Sequence, residues 1–270
     1  MDVTEIRFII FISIFCFMLV WENILPRHPL VDSKIRRMGI NIVLTGINIL
    51  AVRLVFGAAA VGTAFYAMER EWGVLNQTNL SFGLEMFLVI VILDFSIYVQ
   101  HVAVHRVPLF WQFHIVHHTD LDLDVSSGLR FHPVEILGSM LYKILLVCVI
   151  GPSPLAVIVF EAILNAMALF THSNARLPEK MDRLLRQLLV TPDMHRIHHS
   201  IELEETNSNY GFSLSIWDRM LGTYLHNAGK PQPEINIGIE SYRTSDAVSL
   251  TNLLIMPFTD PPPNSAPTKG

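Results

Sequence analysis

Residues 94–118 read DFSIYVQHVAVHRVPLFWQFHIVHH, a mostly apolar segment that runs into two groups of histidines. A third group follows near residue 195, and the three groups together hold eight of the 12 histidines of the chain. The groups are His101 and His105; His114, His117 and His118; and His195, His198 and His199. Their spacing of i, i+3 and i+4 brings side chains to one helix face, so each group is predicted to aim its imidazoles at one point.

These histidines predict a metal site. Neutral imidazole is the commonest protein metal ligand, and eight converging donors are enough for two metal ions. The two cysteines, Cys16 and Cys148, lie in apolar runs and form no C-x-x-C motif, so histidine is the expected ligand. Imidazole suits iron, copper, zinc and nickel alike, so the spacing alone does not name the metal.

The composition indicates a membrane protein. The chain has 270 residues, of which 51% are hydrophobic and only 16% are charged. An average soluble domain has roughly 25% charged residues. The net charge of −5 comes without a basic stripe, so we expect no nucleic-acid partner.

Five apolar runs predict an all-α protein whose helices cross a membrane several times, since about 20 helical residues span a bilayer core. The runs are 6–25, 39–68, 82–100, 136–150 and 155–170. The first lacks the basic start and cleavage site of a signal peptide, so we interpret it as a retained anchor. The second is long enough for one tilted span or a broken hairpin. The sequence GPSP at 151–154 predicts a turn between the last two runs.

The distribution of basic residues predicts the orientation in the membrane. The loop 26–38 holds four basic residues, whereas the loop 69–81 holds only Arg70. The positive-inside rule places the first loop in the cytoplasm. If 39–68 crosses the membrane once, all three histidine groups lie on that same face. A bacterial inner membrane and the endoplasmic reticulum both fit this topology.

The expected fold is all-α, with multi-pass membrane helices and a cytosolic helical cap that carries a histidine-rich dimetal site. We divide the chain into N-terminal transmembrane helices at 1–81, a catalytic domain at 82–230 and a C-terminal segment at 231–270. Residues 176–189 predict an amphipathic helix that lies on the membrane surface or faces the core. The proline-rich tail at 261–267 is predicted to be disordered.

Other residues are candidates for the site. His172 follows the fifth run on the same membrane side and is predicted to be a ninth ligand. Asp94 lies on the helix face of His101 and His105, where it is predicted to accept a hydrogen bond from a ligand imidazole.

The remaining candidates have weaker patterns. His132 fits a role as ligand, as hydrogen-bonding partner or at a helix start, and we group it with the partners. Asn165, two helical turns before His172, fits two roles: it faces the site through water, or it forms a buried hydrogen bond, which is the interpretation we favour. His28 and His226 are interpreted as surface histidines.

The chain resembles the membrane fatty acid hydroxylase and sterol desaturase superfamily. That family combines H-x-3-H with two H-x-x-H-H motifs after a transmembrane span, a pattern present here over 94–223. The segments WQFHIVHH at 111–118, RFHPVE at 130–135, NYG at 209–211 and WDRMLGT at 217–223 are similar as well.

This resemblance implies a non-haem di-iron centre that activates dioxygen to attack a C–H bond of a lipid. Zinc in the site of relatives is read as a substitute for iron. The implied ligands are His101, His105, His114, His117, His118, His172, His195, His198 and His199. A histidine that some relatives carry four residues from His172 is replaced here by Ala168 or Arg176. The chain lacks the haem-binding motif of fused relatives, so a separate protein is expected to donate electrons.

Within that family we favour hydroxylation over desaturation. A sterol, a fatty acyl chain, an alkylglycerol and a carotenoid all remain open as substrates. The alternatives from other classes are a membrane metal transporter and a zinc-dependent membrane hydrolase. A transporter places ligands near the bilayer midplane, and the carboxylates within the apolar runs there are only Asp94 and Glu161. A hydrolase needs a general base, for which Glu135 and Asp120 are the candidates. Dioxygen-dependent turnover separates these functions.

Overall fold

The structure is a computed structural model that describes residues 3–259. These residues form helices and three isolated β-bridges without a β-sheet, which confirms the all-α prediction. The α-helices are α1 (Val3–Ile24), α2 (Lys34–Phe56), α3 (Ala59–Glu69), α4 (Phe82–Arg106), α5 (Pro108–His118), α6 (Pro133–Ile150), α7 (Pro154–His172), α8 (Glu179–Leu185), α9 (Pro192–His198), α10 (Leu203–Thr206), α11 (Ile216–Leu221) and α12 (Leu250–Thr259).

Four helical segments of the described chain are long and apolar enough to cross a bilayer. They are Lys34–Glu69, Phe82–Arg106, Pro133–Ile150 and Pro154–His172. Large apolar side chains such as Leu54 and Val149 are exposed on their outer surfaces, as expected where lipid is the solvent. Helix α1 is outside this set of four, and its role as a retained anchor stays a prediction.

The long segment Lys34–Glu69 runs through the helix bundle once, as a broken helix. The break between α2 and α3 contains Gly57 and Ala59, both with positive φ angles, of 59° and 49°. The side chain of Asn48 donates to the carbonyl of Phe131 just before α6 begins. Beyond α3, the backbone N–H of Val74 donates to the carbonyl of Val149 where α6 ends. Helices α2 and α3 therefore follow α6 from one end to the other, and the hairpin alternative is excluded.

Helices α6 and α7 form the predicted hairpin. Gly151 ends α6 in a left-handed conformation with φ of 69°. A Cβ atom at this position would lie 2.4 Å from the carbonyl oxygen of Trp72, so a side chain would clash with the loop that follows α3. Ser153 then caps α7 by accepting from the backbone N–H of Ala156, which satisfies one free donor of the first turn.

The loop 26–38 lies on the histidine side of the bundle. At the start of α2, Arg37 donates to the carboxylate of Asp120, two residues after the second histidine group. In the loop itself, the backbone N–H groups of Val31 and Asp32 donate to Asp122. The basic loop and the histidine groups therefore share one end of the bundle, as the topology prediction requires.

The C-terminal part of the described chain packs on this end. Leu253 and Met256 of α12 join a core cluster with Leu44 and Trp111. Helix α8 is shorter than the predicted amphipathic segment and leaves Leu184 exposed. The predicted disordered tail at 261–267 lies outside the described residues.

Candidate metal centre

All nine predicted ligands are buried and fall into two clusters. Within each cluster, the candidate ligand nitrogens lie within 4.8 Å of one another. Cluster A contains His101, His105, His114, His118 and His198, and cluster B contains His117, His172, His195 and His199. Four helices supply these side chains: α4, α5, α7 and α9, with His199 as the residue that ends α9.

Each H-x-x-H-H motif supplies histidines to both clusters. The prediction that all imidazoles of a group aim at one point was therefore wrong. The i and i+4 members of the first motif, His114 and His118, lie in cluster A, whereas its i+3 member His117 lies in cluster B. In the second motif, His195 and His199 lie in cluster B, whereas the i+3 member His198 lies in cluster A. Residues i+3 and i+4 differ by about 100° around a helix, so adjacent histidines face different centres.

The protonation pattern of cluster A favours a bound cation. His101 and His198 each place Nδ1 2.8 Å from a backbone carbonyl, of Tyr210 and Ser208 respectively. Because a carbonyl only accepts, Nδ1 carries the proton and Nε2 carries a lone pair in the neutral ring. The two Nε2 atoms lie 3.1 Å apart. Two lone pairs at this distance repel each other unless a cation lies between them.

Cluster B repeats this arrangement. The Nδ1 atoms of His117 and His172 lie 3.1 and 2.8 Å from the carbonyl oxygens of Arg130 and Ala168. The Nε2 atom of His172 lies 3.0 Å from that of His117 and 2.9 Å from that of His195. Metal–imidazole bonds of about 2.1 Å separate neighbouring ligand nitrogens by roughly 3.0 to 3.4 Å. These spacings match the edges of a metal coordination sphere.

Several ring nitrogens have no hydrogen-bond partner among the described residues. They include both nitrogens of His105 and His118 and the Nε2 atom of His114. A buried polar group without a partner is destabilising, and native structures contain few of them. Their concentration in cluster A fits metal ligation, since a metal ion takes the place of the missing partner.

Burial keeps these imidazoles neutral. Removal from water lowers the pKa of His198 to about 3. Burial and neighbouring imidazoles also lower the pKa of His117, His118, His195 and His199 well below the usual value of 6.5. Neutral rings offer their lone pairs to a metal at physiological pH.

Glu135 is the carboxylate that contacts a candidate ligand. Its Oε1 atom lies 2.6 Å from Nδ1 of His114, an arrangement that fixes the ring orientation and raises the basicity of a metal-binding imidazole. The sequence indicated Glu135 only as a candidate base for a hydrolase. Its place in the first turn of α6, three residues after the His132 that precedes this helix, was the available signal.

The predicted partners of the ligands contact other groups. Asp94 accepts from Nε1 of Trp217 at 2.8 Å and from the backbone of Leu214. Asp94 precedes His101 by seven residues, which corresponds to roughly 10 Å along the helix. This separation leaves Asp94 too far from the ligand imidazoles to orient them. His132 caps α6 through Nδ1 and contacts the carbonyl of Leu254 through Nε2. Asn165 lines the cavity beside the clusters, and it is exposed there, so the prediction of a buried role was wrong.

The segment 209–223 shapes the backbone that holds His101. Asp218 accepts from the backbone N–H groups of Tyr210 and Gly211 at 2.8 and 2.7 Å. This fixes the carbonyl of Tyr210 toward His101. A Cβ atom on Gly211 would lie 2.6 Å from Oδ2 of Asp218, so the NYG segment requires glycine there.

His28 and His226 lie outside both clusters. His28 is half-buried, and its backbone forms two hydrogen bonds with the side chain of Asn174. Its pKa is lowered by burial and by the charge of Arg196. His226 is exposed and contacts the hydroxyl of Tyr224.

A cavity of about 220 Å³ opens onto the clusters from between the spans. Five candidate ligands from both clusters line one part of it: His101, His114, His117, His172 and His195. Apolar and polar residues of α4, α6 and α7 line the rest. The ring of Phe131 forms a further wall and stacks on His117 with centroids 4.4 Å apart.

Fold and site together define an all-helical protein with membrane-spanning helices and two adjoining, buried histidine clusters that can hold metal ions. Residues 86–223 match the family model described as fatty acid hydroxylase. The chain therefore belongs to the fatty acid hydroxylase family.

The chain is also similar to individual lipid-modifying enzymes. Identity is 32% with the ornithine lipid hydroxylase OlsE of Rhizobium tropici over 67% of this chain and 56% of that protein. It is 31% with the alkylglycerol monooxygenase of Homo sapiens over 48% of this chain and 28% of that one. Identity is 26% with the cholesterol 25-hydroxylase of Rattus norvegicus, over 51% of this chain and 46% of that protein. The chain thus spans only about a quarter to just over half of these relatives. No solved structure matches the chain.

Proposed function

We propose that the protein is a membrane-bound oxidoreductase that uses dioxygen and two iron ions to hydroxylate a C–H bond of a lipid. The observation that carries this proposal is the cavity between the membrane-spanning helices, which reaches candidate ligands of both clusters. The names of the relatives add support, because they are hydroxylases or monooxygenases of lipids.

The nine histidines are the proposed ligands, five for one ion and four for the other. Two iron ions bound there supply the redox chemistry that activates dioxygen. The protein holds the rings ready for binding: backbone carbonyls keep the Nδ1 protons of His101, His117, His172 and His198 in place, and Glu135 does so for His114. Zinc suits the same donors, so the metal has to be identified in iron-replete protein.

The cavity is the proposed substrate site. It is bounded by α4, α6 and α7, so a lipid can enter it from the bilayer without passing through water. Burial of the clusters keeps bulk water from the reacting carbon. The geometry supports a lipid C–H bond as the target, and ornithine lipids, alkylglycerols and sterols are the classes named by the relatives.

The hydrolase alternative has less support. Asp120 binds Arg37 in a buried ion pair at 2.7 Å and does not line the cavity. Glu135 faces the cavity but holds His114. Neither carboxylate is free to act as the general base.

The proposed orientation places the clusters on the cytoplasmic face, because the basic loop 26–38 lies on their side and basic loops are retained in the cytoplasm. A separate electron-donor protein would then act from the cytoplasm.

The experiment that tests the function is growth of an expressing host under ¹⁸O₂, followed by mass spectrometry of its lipids. We expect one ¹⁸O atom in a new lipid hydroxyl group, and its loss in the His117→Ala variant. Elemental analysis of protein from iron-supplemented medium is expected to find about two iron ions per chain. Unlabelled desaturated lipids would indicate desaturation. Dioxygen-independent products, or zinc alone, would contradict the proposal.

A further inference from the structure

The cavity has a polar region within the membrane-spanning helices. Gln100 of α4, Ser139 and Lys143 of α6, and Asn165 of α7 all line it. Lys143 follows Glu135, the partner of His114, by eight residues, which corresponds to roughly 12 Å along the helix. Lys143 therefore lies deeper in the spans than the histidine clusters, whereas Gln100, which precedes His101, connects the polar region to them.

Lys143 belongs to a group of three charges. Its Nζ atom lies 3.1 Å from Oε1 of Glu161, and Arg7 of α1 contacts Oε2 of the same carboxylate at 2.6 Å. Two cations and one anion leave a net positive charge beside the cavity. A buried ion pair adds little stability, whereas ionisable residues within membrane spans generally serve a function.

The polar region offers more hydrogen-bond donors than acceptors. Lys143 has three donors, and Glu161 takes one of them. The side-chain oxygen of Gln100 already accepts from Ser139 at 3.3 Å, which leaves the amide N–H groups of Gln100 to donate. Asn165 adds a further amide at the cavity, where its side chain is exposed. Among residues 3–259, Glu135 is the one carboxylate that lines the cavity, and it lies at the histidine end.

We propose that Lys143, with Gln100 and Asn165, binds the anionic headgroup of the lipid substrate, a carboxylate or a phosphate. The lipid would then enter headgroup first, and the carbon at the histidine clusters would be selected by its distance from that headgroup. The role in catalysis rests on the proposed hydroxylase function, whereas the binding itself does not.

The test measures binding to the metal-free full chain in phosphatidylcholine nanodiscs, which removes the attraction of the metals for anions. The probes are radiolabelled dodecanoate, dodecyl phosphate and neutral methyl dodecanoate, each corrected for uptake by empty nanodiscs. We expect wild type to prefer an anionic probe over the ester by about tenfold, the effect of one charged hydrogen bond. Whichever anionic probe binds with the higher affinity identifies the headgroup as a carboxylate or a phosphate.

Three variants complete the test. Lys143→Met should abolish the preference, and Lys143→Arg should restore it. Arg7 still pairs with Glu161 in the Met variant, so no buried carboxylate is left alone. Lys180→Met, at an exposed position, is the matched control and should behave as wild type.

Equal binding of ester and anions by wild type would overturn the inference even if the variants failed to fold. A preference that survives in Lys143→Met would overturn it as well. Failure of the hydroxylase proposal is distinguishable, because it would appear as missing ¹⁸O in lipids while the anion preference of the metal-free protein persisted.

Discussion

The Nε2 atoms of His101 and His198 lie 3.1 Å apart, although the two residues are separated by 97 positions in the chain. Each ring is held from behind by a backbone carbonyl. Their lone pairs therefore point at each other. This is an arrangement that a cation stabilises, and it connects the end of α4 with the short helix α9.

Because each H-x-x-H-H motif supplies histidines to both clusters, two double variants are expected to differ in metal content. His114 and His198 belong to different motifs but to one cluster, so His114→Ala/His198→Ala should retain about one metal ion per chain. His114 and His117 belong to one motif but to different clusters. His114→Ala/His117→Ala should therefore lose both ions. Elemental analysis of the purified variants measures this, and equal losses would contradict the cluster assignment.

A single substitution should separate ligands from other histidines. His117→Ala is expected to lose one metal ion and all lipid oxidation while the protein remains in the membrane, because four imidazoles form cluster B. His28→Ala is the control and should keep metal content and activity. Retained turnover in His117→Ala would refute its role as a ligand, and a large loss in His28→Ala would mean that the site extends further.

Glu135→Gln is expected to weaken metal binding about 10- to 100-fold, since the carboxylate that orients His114 is lost. Competition with a chelator measures the affinity. Asp94→Asn is the control: its contacts are with Trp217 and Leu214, so metal affinity should stay unchanged. The opposite ranking of the two variants would restore Asp94 as the orienting group.

Arg37→Met should destabilise the protein by about 3 to 5 kcal/mol, because it leaves buried carboxylates without their partner. Arg37 contacts Asp120 and Asp124 in the interior, next to the second histidine group. Arg36→Met, which removes a partly exposed pair with Asp32, should change stability by about 1 kcal/mol or less. Thermal unfolding in detergent compares the two, and similar melting temperatures would show that the buried network adds little.

A cysteine introduced at the exposed Lys230, on the histidine side, should test the orientation. A membrane-impermeant maleimide should label Lys230→Cys in lysed cells and leave it unlabelled in intact cells if this face is cytoplasmic. Labelling in intact cells would place the histidine clusters on the opposite side.

Local sequence patterns were enough for much of the architecture. The apolar runs predicted the helices, the GPSP turn predicted the hairpin of α6 and α7, and the spacing of the histidines predicted which residues gather at the site. Each of these depends on helix periodicity or on backbone restrictions of glycine and proline, which act over a few residues. The position of the basic loop beside the histidines followed from counting spans.

Contacts between distant segments were decided by tertiary packing. Helix periodicity shows that His117 and His118 face different directions, but only the packing of α5 against α7 and α9 determines which cluster each one joins. Glu135, rather than Asp94, meets an imidazole because the start of α6 lies beside α5. The carbonyls that orient the rings belong to Tyr210, Ser208, Arg130 and Ala168, and any residue type provides a carbonyl. The sequence by itself therefore determined the donors and the spans, and the tertiary structure decided how those donors divide into two centres.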